Sequence, residues 1–215
     1  LLKDNAGDDL GVLVHPATSN EEGALLAALA RGLGTGHVDH RLRQLDFADA
    51  PVAEPFAMPV AEVGQADVVV LVGCNLRHEL PLLQQRLRHA SRRGTRVFAI
   101  NPVDFEFTME MAGVQVVLPS QLPNTLQALA DGTGEAFDAL SSASAGVVVL
   151  GEIAETHPQA SRIRAAAHAL CQATGARLDR IPVGANAVGL ARHGVLPTGL
   201  DAQAMLVAPR KAYVL

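Results

Sequence analysis

Two short stretches hold the residues best placed to do chemistry: 73–79 (GCNLRHE) and 101–104 (NPVD). Each follows an uninterrupted apolar run. Gly73 would let a backbone approach a ligand closely, and Asn75, Arg77 and His78 could each hydrogen-bond one. The same residues also read as a turn made by Gly73 and a helix capped by Asn75. Asn101 opens the second stretch, and a third glycine turn, Gly184-Ala185-Asn186, follows a later apolar run. Covalent machinery is not evident. The chain has no GxSxG elbow, HExxH, Walker lysine loop or CxxC. Glu152 and His157 could form an acid/base pair, although charged residues beside a strand end are ordinary. His37 and His40, three apart around Asp39, could meet on one helix face but make a poor metal site without a third ligand. Cys74 and Cys171 are too few for an iron–sulfur cluster and read as two reduced thiols.

The elements that must position these residues follow from pattern. Residues 67–72 (DVVVLV) are a strand buried on both faces of a parallel sheet. Pro81 suits the first turn of a helix, in which Leu83, Leu87 and Ala90 form one apolar stripe and Arg86, Arg88, Arg92 and Arg93 lie off it. Gly94 ends that helix, and residues 96–100 are the next buried strand. Ligands of an open parallel sheet bind beyond the carboxyl ends of its strands, which makes 73–78 and 101–104 the first tips to inspect.

Elsewhere, residues 11–14 read as a strand and 21–31 as a helix capped by Thr18, Ser19 or Asn20. The glycines of GLGTG (32–36) follow that helix, so they stop it and are not a dinucleotide fingerprint. Residues 48–59 hold three prolines and should be an irregular connection. A short helix is expected at 104–113, a strand at 114–118, a helix at 122–130, a strand at 147–150, a long helix at 159–173 and strands at 176–181 and 211–215. The result is an α/β chain, Rossmann-like, with a mostly parallel sheet and helices on both faces. The small polar stretch 134–145 reads as a linker between a first α/β half (1–133) and a second (146–215) packed on it.

The 215 residues carry a formal net charge of −5, which argues against a nucleic-acid backbone as partner. The arginine-rich face near residues 86–93 is the one counter-signal, read as a solvated face or a contact with a neighbouring protein. No apolar run approaches the length needed to cross a bilayer, and residues 1–10 lack the pattern of a signal peptide. Leu1 in place of an initiator Met, and an end inside a strand-like RKAYVL, read as a domain excised from a longer protein.

Three blocks together resemble a known family: TSNEEGALLAALARGLGTGHVDHRLRQLDF (18–47), ADVVVLVGCNLRHELPLLQQRLRHASRRGTRV (66–97) and VGANAVGLARHGVLP (183–197). They are similar to the large iron–sulfur subunit of bacterial NADH:quinone oxidoreductase, respiratory complex I. More widely they are similar to molybdopterin oxidoreductases such as formate dehydrogenases. The resemblance implies a scaffold domain that has lost the pterin, in a polypeptide that carries electrons from NADH toward quinone. In the active enzymes a stretch like Val38-Asp39 is followed by a metal-ligating Cys or selenocysteine and a His, where Leu45 and Asp46 stand here. The family's Asp-Pro-Arg, which helps hold the guanine nucleotide, is Asn101-Pro102-Val103, and its Pro-Gly-Thr-Asp-like turn is Leu122-Pro123-Asn124-Thr125. Gly73, Asn75 and His78 do match the family's Gly-x-Asn loop.

The resemblance therefore implies no catalytic residue, no metal and no cofactor here, the iron–sulfur clusters lying in an upstream region. Gly73, Asn75, Arg77, His78, Asn101 and Gly184 would line a vestigial crevice. The implied partners are the polypeptide's own iron–sulfur region and other peripheral-arm subunits of complex I, at the cytoplasmic face of the membrane and without insertion into it. A working molybdopterin-guanine-dinucleotide domain and a plain nucleotide-binding module are the alternatives.

Overall fold

The computed structural model describes residues 2–215. In chain order the strands are β1 (Leu10–Leu13), β2 (Val38–Asp39), β3 (Val68–Val72), β4 (Arg96–Asn101), β5 (Gly113–Val116), β6 (Gly146–Leu150), β7 (Arg177–Arg180) and β8 (Ala212–Val214). The helices are α1 (Asn20–Gly32), α2 (Val60–Val63), α3 (Leu76–Glu79), α4 (Pro81–Ser91), α5 (Leu122–Ala130), α6 (Glu135–Ser142), α7 (Glu152–Glu155), α8 (Ala160–Thr174), α9 (Ala187–Arg192) and α10 (Ala202–Val207). The fold is α/β, and every strand pairing is parallel, in two sheets ordered β2-β1-β8 and β5-β4-β3-β6-β7.

Two compact units hold these sheets. One comprises Leu1–Leu45, Ala50–Pro55 and Pro182–Leu215, the other Asp46–Asp49 and Phe56–Ile181. The division does not fall at 134–145. That stretch contains α6, whose Ala139 and Leu140 are buried in the core of the five-stranded unit. Its small residues suggested a linker, but an apolar side chain every third or fourth position is enough to bury one helix face.

In the five-stranded unit β3 is the centre. Val68, Val70 and Val72 point into a layer made by α5, α6 and α8, while Val69 and Leu71 point into one made by α2, α3 and α4. Successive strand side chains face opposite ways, so a strand with helices on both sides has room for no polar position. Leu83, Leu87 and Ala90 are the buried stripe of α4, and Pro81 occupies its first turn. Residues 104–112 form no helix, contrary to expectation. Phe107, Met109 and Met111 alternate with polar residues and pack on the α4 side from a segment without regular structure, a period of two that a helix cannot bury on one side. β6 lies beside β3 in register, Val68 opposite Gly146 and Val72 opposite Leu150.

The three-stranded unit packs α1 and α9 over β1 and β2 through Val12, Val14, Ala27, Ala30, Val38 and Leu190. Ser19 caps α1 in a reciprocal capping box with Glu22. Asp39, fully buried, accepts from the backbone N–H and Nε of Arg41 and from the N–H of Ala202, which ties residues near α10 to β2.

A buried ion cluster holds α8 in its unit. Glu155 accepts from Arg164 Nη1 at 3.1 Å and from Arg180 Nε and Nη2 at 2.7 and 2.8 Å, and Arg164 also grips both oxygens of Asp49 at 2.6 Å. Glu155 and Arg164 are almost wholly buried, so neither charge can turn to water if its partner is lost. Glu155→Ala should therefore cost about 3–5 kcal/mol of unfolding free energy, measured by urea titration; a loss below about 1 kcal/mol would mean the cluster behaves as a solvated surface pair.

Candidate functional site

From β3 the chain moves outward to β4 and β5, then returns to the other side of β3 for β6 and β7. The order reverses between β3 and β6, and the crevice of such a sheet opens there. Its two lips are Gly73, after β3, and Gly151, after β6. The 101–104 tip lies one strand further out.

The lips are packed against each other. The N–H of Gly151 donates to Val72 O at 3.0 Å and that of Ile153 to Gly73 O at 3.0 Å. Gly73 has φ +55°, and a Cβ there would lie 2.6 Å from the nitrogen of Ala154; a Cβ on Gly151 would lie 2.5 Å from Cys74 Cα. The two glycines thus serve the approach of one backbone to another.

The tip N–H groups that could face a ligand have acceptors inside the chain. Glu79, at the end of α3, folds its carboxylate back to accept from the N–H of Asn75 at 2.6 Å and of Glu152 at 2.7 Å. Asn101, fully buried, accepts from the N–H of Cys74 at 2.7 Å and donates Nδ2 to Cys74 O at 3.3 Å. Burial pushes the Glu79 carboxyl above the usual range; the two N–H donors oppose that shift and the charge of Glu152 adds to it. Burial, then the Glu79 charge, raises the Cys74 thiol well above its ordinary value, and burial pushes Cys171 up to about 12. Neither is poised as a nucleophile.

Of the residues singled out from the sequence, Gly73, Asn75 and Asn101 meet at this tip. Asn75 stands at the N-cap of α3 but its side chain makes no cap bond; Glu79, four residues on, instead accepts from the backbone N–H of Asn75. The residues after Asn75 form the one-turn α3 before Pro81 opens α4. Arg77 and His78 are exposed, Arg77 reaching Glu106 at 3.4 Å. Gly184 belongs to the three-stranded unit, where at φ +107° it packs on Pro16.

The ring nitrogens of His157 are taken by Pro119 O and the N–H of Gln159, which removes it as an acid/base partner for Glu152. His37 and His40 flank the extended β2 and not a helix; their Nδ1 atoms pair with the N–H of Leu200 and the carbonyl of Val195. Glu79 and Gly151 are what sequence reasoning missed. Their signals were the acid four residues after Asn75 and the second Val-rich run ending in glycine.

Residues 2–198 match the model of the molybdopterin oxidoreductase family. The chain belongs to that family. Among curated relatives, the G subunits of NADH-quinone oxidoreductase from Mycobacterium bovis and from Mycobacterium tuberculosis are each 36% identical over 197 residues, 87% of this chain and 24% of the relative. The chain thus spans about a quarter of their length. A Bacillus subtilis protein named "Probable oxidoreductase YjgC" is 31% identical over 108 residues, 45% of the chain and 11% of the relative. A crystal structure of the formyltransferase/hydrolase complex from Methylorubrum extorquens superposes with a TM-score of 0.61 at 20% identity, over 97% of this chain and 68% of that one, and shares the fold.

The molybdopterin family implies a pterin cofactor, and the residues at this crevice do not fit one. The N–H groups of Cys74, Asn75 and Glu152 are already engaged, the last two by the carboxylate of Glu79. Val103, which the resemblance set against the family's arginine, is half exposed and its side chain brings no donor. Leu45 cannot ligate a metal, and Asp46 accepts from the N–H and hydroxyl of Ser161 at the start of α8. Among the described residues no group of three or more His, Cys, Asp and Glu is placed to hold a metal ion.

Because Glu79 is held above its ordinary value, the folded chain binds that proton more readily than the unfolded one. Its contribution to stability is greatest below the unfolded value and is lost as pH rises through the raised one. Glu79→Gln should flatten the fall of unfolding free energy across that window, read by urea titration at a series of pH values. A profile parallel to that of the parent protein would place the carboxylate in water.

Proposed function

We propose that this chain is a scaffold portion of the G subunit of an NADH-quinone oxidoreductase and works without a molybdopterin. The observation that carries the reading is the crevice between β3 and β6, whose backbone donors are bound by Glu79 and Asn101 and whose glycines are covered by Ala154 and Cys74. The 36% identity to the mycobacterial proteins supports the assignment to that complex. In this reading the intact polypeptide takes part in moving electrons from NADH toward quinone, through iron–sulfur clusters carried outside these residues. The portion described here packs against that cluster-bearing region and neighbouring subunits of the peripheral arm, at the cytoplasmic side of the membrane. No described helix is long and apolar enough to cross a membrane.

The test is to tag the polypeptide at its own locus and purify it from native membranes. NADH:quinone oxidoreductase activity should copurify, with molybdenum far below one atom per chain by elemental analysis. Stoichiometric molybdenum with released pterin fluorescence would overturn the loss of the cofactor; purification without that activity would overturn the assignment to the complex.

The reading also makes restoration of the family residue unfavourable. Asn101→Asp would replace the amide donor facing Cys74 O with a second oxygen, in a fully buried position. It should cost about 1–3 kcal/mol in urea unfolding. A neutral or stabilising change would mean the tip readily accepts the carboxylate.

A further inference from the structure

The buried stripe of α4 leaves another face outward. Leu82, Gln85, Arg86 and His89 follow at i, i+3, i+4 and i+7, so they share that face, and all four are exposed, Leu82 to 80%. Arg92 and Arg93 extend it beyond the end of the helix, and the partly buried Arg88 flanks it. Six other arginines, Arg41, Arg77, Arg96, Arg164, Arg177 and Arg180, each have a carboxylate partner, while among the described residues Arg31, Arg162, Arg192 and Arg210, scattered along the chain, meet none; on α4 such arginines are clustered. Among the described residues Arg86, Arg88 and Arg92 have none; Arg88 Nε is buried with no hydrogen-bond partner, and Arg93 reaches only Gly64 O at 3.2 Å. In a chain of net charge −5 this is a local positive excess. The helix dipole favours cations in the last turn, but it explains neither Arg86, mid-helix, nor the exposed Leu82.

We propose that this face docks a protein partner that presents carboxylates around an apolar recess for Leu82. An apolar anchor beside arginines is the composition of a protein interface, where arginine stacks and bonds carboxylates in pairs. Phosphate binding would have no use for Leu82, and the chain's overall negative charge opposes it. The docking stands independently of the assignment to NADH-quinone oxidoreductase.

The test places the photo-cross-linking residue p-benzoylphenylalanine at position 82 of the polypeptide expressed from its own locus. Irradiation should give a cross-link to one protein, mapped by mass spectrometry beside Asp or Glu residues. Arg86→Glu with Arg92→Glu should cut the yield roughly ten-fold or more, and reversing the mapped acids to arginine should restore it. Both positions are exposed and unpaired, and an unchanged thermal melt of the double variant checks folding. No cross-link, a cross-link to nucleic acid or lipid, or a yield indifferent to charge reversal would overturn the proposal.

Discussion

β3 contains no polar side chain, and water must be kept from both of its faces. Much of the five-stranded unit follows from that constraint. Strands on both sides satisfy its backbone, two layers of helices cover its side chains, and the irregular segment around Phe107 and Met109 completes the cover beside α4. Burial of this kind is non-directional, so it can assemble layers without deciding how the strand ends are finished.

The finish is decided by hydrogen bonds. N–H groups at the ends of buried strands need acceptors, and a protein can obtain them from a ligand or from itself. Here Glu79 and Asn101 supply them, and the space that Gly73 and Gly151 leave open is filled by backbone. A glycine at a strand tip therefore means close approach, and the identity of what approaches is a separate matter. Burial raises the pKa of the Glu79 carboxyl, offset in part by the two N–H groups it receives.

Buried charge elsewhere is placed by the same logic. Glu155 between Arg164 and Arg180 joins α7, α8 and β7, and the Arg164 guanidinium beside Asp49 holds that carboxyl below the usual range. Asp46, at a position where the family resemblance puts a residue near the metal, bonds the first turn of α8 instead. The arginines of α4 are the contrast, since their charge meets no carboxylate among the described residues.

The strands around Val68–Val72 and Gly146–Leu150, the stripe of α4, the stop at Gly94 and the capping of α1 were legible in the residues, and so was the α/β class. Period-two and period-3.6 burial, the fixed φ of proline and the freedom of glycine act within a few residues of chain. A helical patch at residues 137–140 was legible, but not that α6 is packed into the core; the run after Asp104 was read as a helix although its apolar residues alternate. The split into units also escaped, because Pro182–Leu215 joins residues near the opposite end of the chain. By itself the sequence determined which segments must be buried and where the chain must turn. Only the tertiary structure decided that the ends of β3 and β6 meet at Gly73 and Gly151 and that Glu79 bonds across them. The bond from Glu152 to Glu79 spans 73 positions and exists only once β3 and β6 have become neighbours.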